Sequence, residues 1–259
     1  MPLLNPSPIK PGLFRTAPCA QNTSHDKKWG RVRCVLGLGI GLALLLGSGA
    51  SARGEDESFL LRDDNRVRGD RQAPVTLLEY SDFTCGFCEK FFLETWPRLF
   101  SEYVQPGKVR LVYRDFPRAS TGAGVETAQA ARCAGEQGHY WLMHDRLFAS
   151  KSKFGRQQLH RQAEDLGLDI RQFTECFQSD RYVDAIHQDR LEGGRIGIRG
   201  TPGFVLFLTQ HVNDGPLLII PGAFPYDVFK EQIDRLLKKA LPERNTGQPQ
   251  AGAELPVRG

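Results

Sequence analysis

The sequence predicts an α/β fold whose β-α-β half and β-β-α half are separated by an all-helical insertion. Three observations predict it. Two apolar, partly β-branched segments, Val75 to Tyr80 and Val109 to Phe116, flank a stretch of helical periodicity. Helical patterns then fill 119–193 with no strand among them. Thr201-Pro202 next introduces two more strand patterns, Phe204 to Leu208 and Leu217 to Ile220, and an amphipathic helix from Tyr226 to Ala240.

Each element has its own signal. Val75 to Tyr80 is apolar except for Glu79 and reads as a buried strand. Phe92, Trp96, Leu99 and Tyr103 recur at helical spacing, with Pro97 predicting a kink and Pro106-Gly107 the end. In Val109 to Phe116, Val109, Leu111 and Tyr113 alternate against Arg110, Val112 and Arg114. That β-helix-β order, about 40 residues long, fits a parallel unit. Gly122 to Ala134 is Ala-rich and stops at Gly135. Tyr140, Met143 and Leu147 share the face of a second helix, and Gln157 to Leu166 forms a third. Asp169 is placed to cap a fourth, with Phe173, Cys176 and Phe177 on one face. Tyr182, Ala185 and Ile186 mark a fifth, which Gly193-Gly194 is expected to end. A turn at Asn213-Asp214-Gly215 separates the last two strands, and Phe229, Ile233 and Leu236 line the last helix.

The chain has 259 residues, 40% apolar and 25% charged, which excludes collagen-like, coiled-coil and wholly disordered classes. Residues 1–52 carry six of the 34 basic residues and one of the 30 acidic ones, so 53–259 keeps 28 and 29. A near-neutral body gives no electrostatic reason to expect a nucleic-acid partner. Lys27, Lys28, Arg31 and Arg33 precede an apolar run from Cys34 to Leu46, and small residues follow up to Ala50-Ser51-Ala52. This reads as a secretory signal cleaved after Ala52, or as a retained N-terminal anchor. The organisation expected is therefore signal or anchor (1–52), polar lead-in (53–73), first half (74–118), helical insertion (119–193), second half (194–240) and disordered tail (241–259). The roughly 20 residues between Ala52 and the first core strand are too few for a dimerisation domain, and a monomer is expected.

Export bears on the cysteines. Beyond Cys19 and Cys34 the chain keeps Cys85, Cys88, Cys133 and Cys176, an even number in a compartment where disulfides persist. Cys85 and Cys88 are spaced C-x-x-C. A structural zinc site needs four ligands, and Cys133 and Cys176 lack the spacing for a second pair. Haem attachment needs His after the second cysteine, where Glu89 stands. The six histidines form no metal-binding pair on one helix, so no metal is expected and they read as structural or surface groups. Cys133 and Cys176 lie on different predicted helices, each on the apolar side. They are expected to form a structural disulfide, with two buried free thiols as the alternative.

The run Ala73-Pro74-Val75-Thr76-Leu77-Leu78-Glu79-Tyr80-Ser81-Asp82-Phe83-Thr84-Cys85-Gly86-Phe87-Cys88 resembles the start of a DsbA-like thiol:disulfide oxidoreductase, a thioredoxin fold with a helical insertion. Tyr113-Arg114-Asp115-Phe116-Pro117, Cys133-Ala134-Gly135-Glu136-Gln137-Gly138 and Gly200-Thr201-Pro202-Gly203-Phe204 agree with it, and the resemblance covers roughly 65–240 in order.

Thiol–disulfide exchange needs a thiolate that attacks a disulfide sulfur through a mixed-disulfide intermediate. At the strand-to-helix junction, unpaired N–H groups and the helix dipole favour the Cys85 anion. Cys85 is thus the expected exposed nucleophile and Cys88, one turn further in, the resolving thiol. The Cys85/Cys88 pair is itself the redox group, and no cofactor is expected. The resemblance implies that Glu79 is a buried proton acceptor for Cys88, and that Thr201-Pro202 is a cis-proline loop leaving a backbone edge for an extended substrate. Phe87, inside the C-x-x-C, is expected beside the reactive sulfur at the surface. It offers the thiolate neither charge nor N–H, so the Cys85 pKa is expected below the free value of about 8.5 but above the value of about 3.5 given for DsbA. The resemblance further implies cysteine-containing exported proteins as substrates and a membrane redox partner that recycles the pair. Fold alone leaves a non-catalytic chaperone or binding module open on the same scaffold.

Overall fold

The computed structural model describes residues 60, 62, 64–150, 154–213 and 215–240. The expected signal or anchor, its cleavage point and the expected tail lie outside the described residues, as does Asp214 of the expected turn.

Five strands make one mixed sheet in the order β1-β3-β2-β4-β5. They are β1 (Val67–Arg68), β2 (Val75–Ser81), β3 (Val109–Asp115), β4 (Gly203–Leu208) and β5 (Leu218–Ile220). β2 and β3 are parallel, paired from Val75↔Val109 to Ser81↔Asp115. β1 flanks β3, and β4 flanks β2, both antiparallel. Every residue of β2 is buried because the sheet is covered on both faces. Val75 and Leu77 pack with Phe91, Phe204 and Phe229, while Leu78 and Tyr80 pack with Val112, Val205 and Phe207.

The helix after β2 starts as α1 (Gly86–Lys90) and continues through a π-helical turn (Phe91–Thr95), α2 (Trp96–Leu99) and a second π-helical turn (Phe100–Val104). Pro97 has no N–H to donate to the preceding turn, and the first widened turn stands directly before α2, at whose start Pro97 sits. Phe91 is consequently in the core, and Phe92 packs partly buried between two core clusters.

The insertion is helical throughout: α3 (Ala123–Glu136), α4 (Tyr140–Ala149), α5 (Arg156–Asp165), α6 (Ile170–Gln178) and α7 (Val183–Arg195). Asp169 caps α6, its Oδ1 accepting from Gln172 N at 3.0 Å. Cys133 on α3 and Cys176 on α6 are joined by a disulfide that closes 43 residues. The second half ends with α8 (Tyr226–Ala240), which lays Phe229, Ile233 and Leu236 against the sheet. Among the described residues no helix is long and apolar enough to cross a membrane.

One expectation needs correction, and two features were not foreseen. Gly193-Gly194 does not end α7, which runs through both to Arg195. A Cβ on Gly193 would lie 2.8 Å from the Tyr80 ring and 3.0 Å from Phe116, so the glycine there admits close packing rather than a break. The alternation in β3 does not expose Arg110 and Arg114. Both are buried, Arg110 Nε donating to Thr76 Oγ1 at 2.9 Å and Arg114 Nη2 to the Arg62 carbonyl at 2.9 Å.

The polar lead-in, finally, carries β1. Its anchor is ionic: buried Arg66 donates to Asp189 Oδ2 at 2.5 Å, and Arg132 reaches Asp189 and Asp115 at 2.7 Å each. These charges come from the lead-in, β3, α3 and α7. A buried charge is tolerated only when paired and hydrogen-bonded, and here each one is.

Candidate active site

The parallel β2/β3 pair delivers the chain into α1 at Cys85. Cys85 is the last residue before the helix, with extended backbone angles (φ −90°, ψ 119°). Its carbonyl accepts from Cys88 N and Glu89 N, both at 3.0 Å, which closes the first turn and brings the two cysteines onto it. Asp82 fixes the approach: it is buried, its Oδ1 accepts from Thr84 N at 2.8 Å and its Oδ2 from Arg118 N at 3.2 Å.

Thr201-Pro202 is a cis peptide, and its loop abuts the helix start. Cys85 Sγ lies 3.4 Å from the Thr201 carbonyl oxygen, within reach of a hydrogen bond when the thiol is protonated. Cys85 and Cys88 are both free thiols. Cys88 has no exposed surface and Cys85 keeps 6%, so Cys85 is not the exposed group it was expected to be. The cis-proline loop covers part of its sulfur, and the exposed members of the motif are Gly86 and Phe87, the latter at 67%.

The two thiols have opposite acidities. Cys85 is lowered to about 5, first by a hydrogen bond from the Cys88 thiol, then by the Thr201 side chain and the backbone N–H groups of Cys88 and Phe87, against the cost of its burial. Cys88 is raised far above the ordinary thiol range by burial and by its bond to Cys85. The value near 5 lies between a free thiol and the DsbA figure, in the interval that Gly86-Phe87 suggested. The bond from Cys88 was not foreseen, because it depends on side-chain direction within one helical turn.

Glu79 is 3% exposed and stands on β2 between Tyr113 of β3 and Phe204 of β4. Burial raises its carboxyl to about 7, partly offset by the Ser81 hydroxyl. Ser81 is a site residue that the sequence reading passed over. Its signal was available: it stands two positions after Glu79, on the same face of one strand. His144 is one of the histidines read as structural or surface groups, and the structure makes it a structural one. It is fully buried, ringed by Phe83, Phe92, Tyr113, Trp141 and Phe148, with Nδ1 2.9 Å from Asp145 Oδ1.

Two clefts flank the pair. One, of about 500 Å³, runs between Phe87, Ile198, the cis-proline loop, Ile219 and Phe224. The other, of about 390 Å³, reaches Cys85 itself between Phe83, Glu89, Leu147, Phe148 and Phe154. Cys133 and Cys176 lie in the insertion and take no part in this geometry. Among the described residues no three His, Cys, Asp or Glu side chains are grouped as metal ligands.

A thioredoxin family model matches residues 62–235. The chain is 26% identical over 182 residues to a probable disulfide bond formation protein D of Bacillus anthracis, covering 66% of this chain and 77% of that one. It is 36% identical over 155 residues to an Na(+)/H(+) antiporter NhaA 3 of Salinispora tropica, covering 60% of this chain but 23% of the antiporter. The chain thus spans less than a quarter of the length of that relative. Among solved structures, alpha-DsbA1 of Wolbachia pipientis superposes with a TM-score of 0.61 at 25% identity, covering 68% of this chain and 92% of that one. A thioredoxin-like oxidoreductase of Silicibacter pomeroyi gives a TM-score of 0.60 at 28% identity, covering 71% and 98%. With its helical insertion, its cis-proline loop and these neighbours, the chain belongs to the thioredoxin family, in its DsbA-like branch.

Proposed function

We propose that the protein is an exported thiol:disulfide oxidoreductase that exchanges disulfides with cysteine-containing exported proteins through Cys85-Gly86-Phe87-Cys88. The observation that carries this reading is the division of acidity between the two thiols. Near neutral pH Cys85 is a thiolate and Cys88 a protonated thiol, so one attacks and the other resolves.

In the oxidising direction a substrate thiolate attacks Cys85 Sγ of the Cys85–Cys88 disulfide. The Cys85–substrate bond forms, the Cys85–Cys88 bond breaks, and Cys88 leaves and takes a proton drawn from Glu79. A second substrate thiolate then attacks the substrate sulfur of the mixed disulfide, and Cys85 departs as its stabilised thiolate. The substrate loses two electrons and the cysteine pair gains them. In the reducing direction Cys88 gives up its proton and attacks Cys85 Sγ. A carboxyl near 7 suits either transfer.

The cleft beside Thr201-Pro202 supports an extended substrate segment as the form bound. The basic and apolar run before Ala52 supports export, either as a cleaved signal or as a retained anchor. The resemblance to DsbA-like proteins supports a membrane redox partner that recycles the pair.

Insulin reduction and scrambled-ribonuclease refolding test the proposal. Cys85→Ser abolishes both activities if the pair is catalytic. Unchanged activities in Cys85→Ser contradict catalysis and leave a binding module.

A further inference from the structure

The helical insertion builds one wall of the cleft of about 390 Å³ that reaches Cys85. Leu147 and Phe148 come from the last turn of α4, Phe154 follows that helix, and Phe83 closes the other side just after β2. The wall is fixed before any substrate arrives. The Phe148 ring packs 4.9 Å from Phe83 and stacks 5.3 Å from Phe92, and Phe83 stacks 5.3 Å from Tyr113. A cleft of this size admits a long side chain, and its apolar lining takes methylene groups out of water. Charge enters it at one place. Glu89 lines the cleft, half-buried, and its N–H donates to the Cys85 carbonyl at 3.0 Å. Four residues apart, Glu89 and Cys85 thus share one face of α1. Among the described residues the Glu89 carboxylate makes no ion pair or side-chain hydrogen bond, and no basic residue lines the cleft. The Thr84 hydroxyl, also in the lining, is already taken by Asp82 Oδ1 at 2.7 Å.

We propose that this cleft is a specificity subsite for the residue beside the substrate cysteine, and that Glu89 selects lysine or arginine there. Resting on the exchange chemistry above, the subsite defines which exported segments react fastest. A lysine or arginine stem packs on Phe83, Phe148 and Phe154, and its cationic head meets the Glu89 carboxylate. Because Cys85 lines the same cleft, a side chain seated there holds the neighbouring substrate sulfur close to the nucleophile. An apolar residue keeps the stem contacts and loses the charge. An acidic residue is repelled by Glu89 and by the Cys85 thiolate, and a small polar residue gains neither contact.

Short peptides of one sequence, whose single cysteine is held as a mixed disulfide with thionitrobenzoate, test this with the reduced protein. Cys85 attacks the peptide sulfur, the new Cys85–peptide disulfide forms, and thionitrobenzoate leaves as a coloured thiolate. Lysine, norleucine, serine or glutamate is placed in turn on each side of the cysteine. On one side, norleucine should react about tenfold faster than serine through its buried stem. Lysine should react about fivefold faster again through its head, and glutamate slowest. High salt should bring lysine toward norleucine. Glu89→Gln should remove the advantage of lysine over norleucine and keep that of norleucine over serine, and Glu89→Lys should make glutamate faster than lysine. Ratios between peptides cancel any change that a variant makes in the reactivity of Cys85 itself. Equal rates for lysine and glutamate, a lysine preference that survives in Glu89→Gln, or norleucine no faster than serine overturns the subsite. Release from no peptide by the wild-type protein is a different result, which overturns the exchange reading and the subsite with it.

Discussion

The Cys85 sulfur lies 3.4 Å from the Thr201 carbonyl oxygen, so the start of α1 and the cis-proline loop meet at one atom. The helix contributes N–H groups and the Cys88 thiol as donors, and the loop contributes a backbone edge beside the sulfur. A substrate strand laid on that edge brings its own sulfur to the nucleophile.

The acidity of Cys85 depends most on Cys88. Cys88→Ala removes the thiol that donates to the Cys85 anion, and the Cys85 titration should move up from about 5 toward the ordinary thiol range. Ultraviolet thiolate absorbance against pH checks this. A titration that stays near 5 assigns the acidity to the backbone N–H groups and the helix dipole instead.

Glu79 makes stability depend on pH. Its folded pKa, about 7, is above the ordinary 4.5, so the folded state holds a proton that the unfolded state releases. The contribution is fully present below about pH 4.5 and is lost as pH rises to about 7, a change of about 3 kcal/mol. Glu79→Gln should therefore gain stability over wild type by about that amount between about pH 4 and pH 8. Urea unfolding of the reduced proteins at the two pH values measures it, and a pH-independent difference contradicts a buried, uncompensated carboxyl.

Asp189 holds both Arg66 and Arg132 with a single carboxylate oxygen. Asp189→Ala leaves two buried guanidinium groups short of a partner and should cost about 3–5 kcal/mol. Its carboxyl is held below 3.8, so the contribution is present above the ordinary Asp value and is lost as pH falls through the depressed one. Denaturant unfolding should show the difference between variant and wild type shrinking in acid.

The Cys133–Cys176 disulfide joins α3 to α6 and supplies no group to the exchange steps. Removing it with Cys133→Ser and Cys176→Ser together opens a 43-residue loop. The loss expected from chain entropy is about 4 kcal/mol. Thermal unfolding measures the loss, and insulin reduction by the folded variant should be unaffected.

Much of this was legible in the chain. Strand periodicity placed β2 and β3, and the C-x-x-C and Thr-Pro signals marked the residues that the fold brings together at Cys85. What was not legible depends on partners distant in sequence. Gly193 reads locally as a break and is instead where α7 meets the Tyr80 ring. Val67 and Arg68 have no strand period of their own and are held by the ion pairs of Arg66. The burial of Arg114 is not readable from alternation, because β3 is covered on both faces.

The central claim is that Cys85 is a thiolate while Cys88 remains a thiol. Its most direct test is the pH dependence of alkylation by iodoacetamide in the reduced native protein, with the modified cysteine located by mass mapping. The account predicts modification of Cys85 with an inflection near pH 5. Modification of Cys88 first, or an inflection at the free-thiol value of about 8.5, contradicts it.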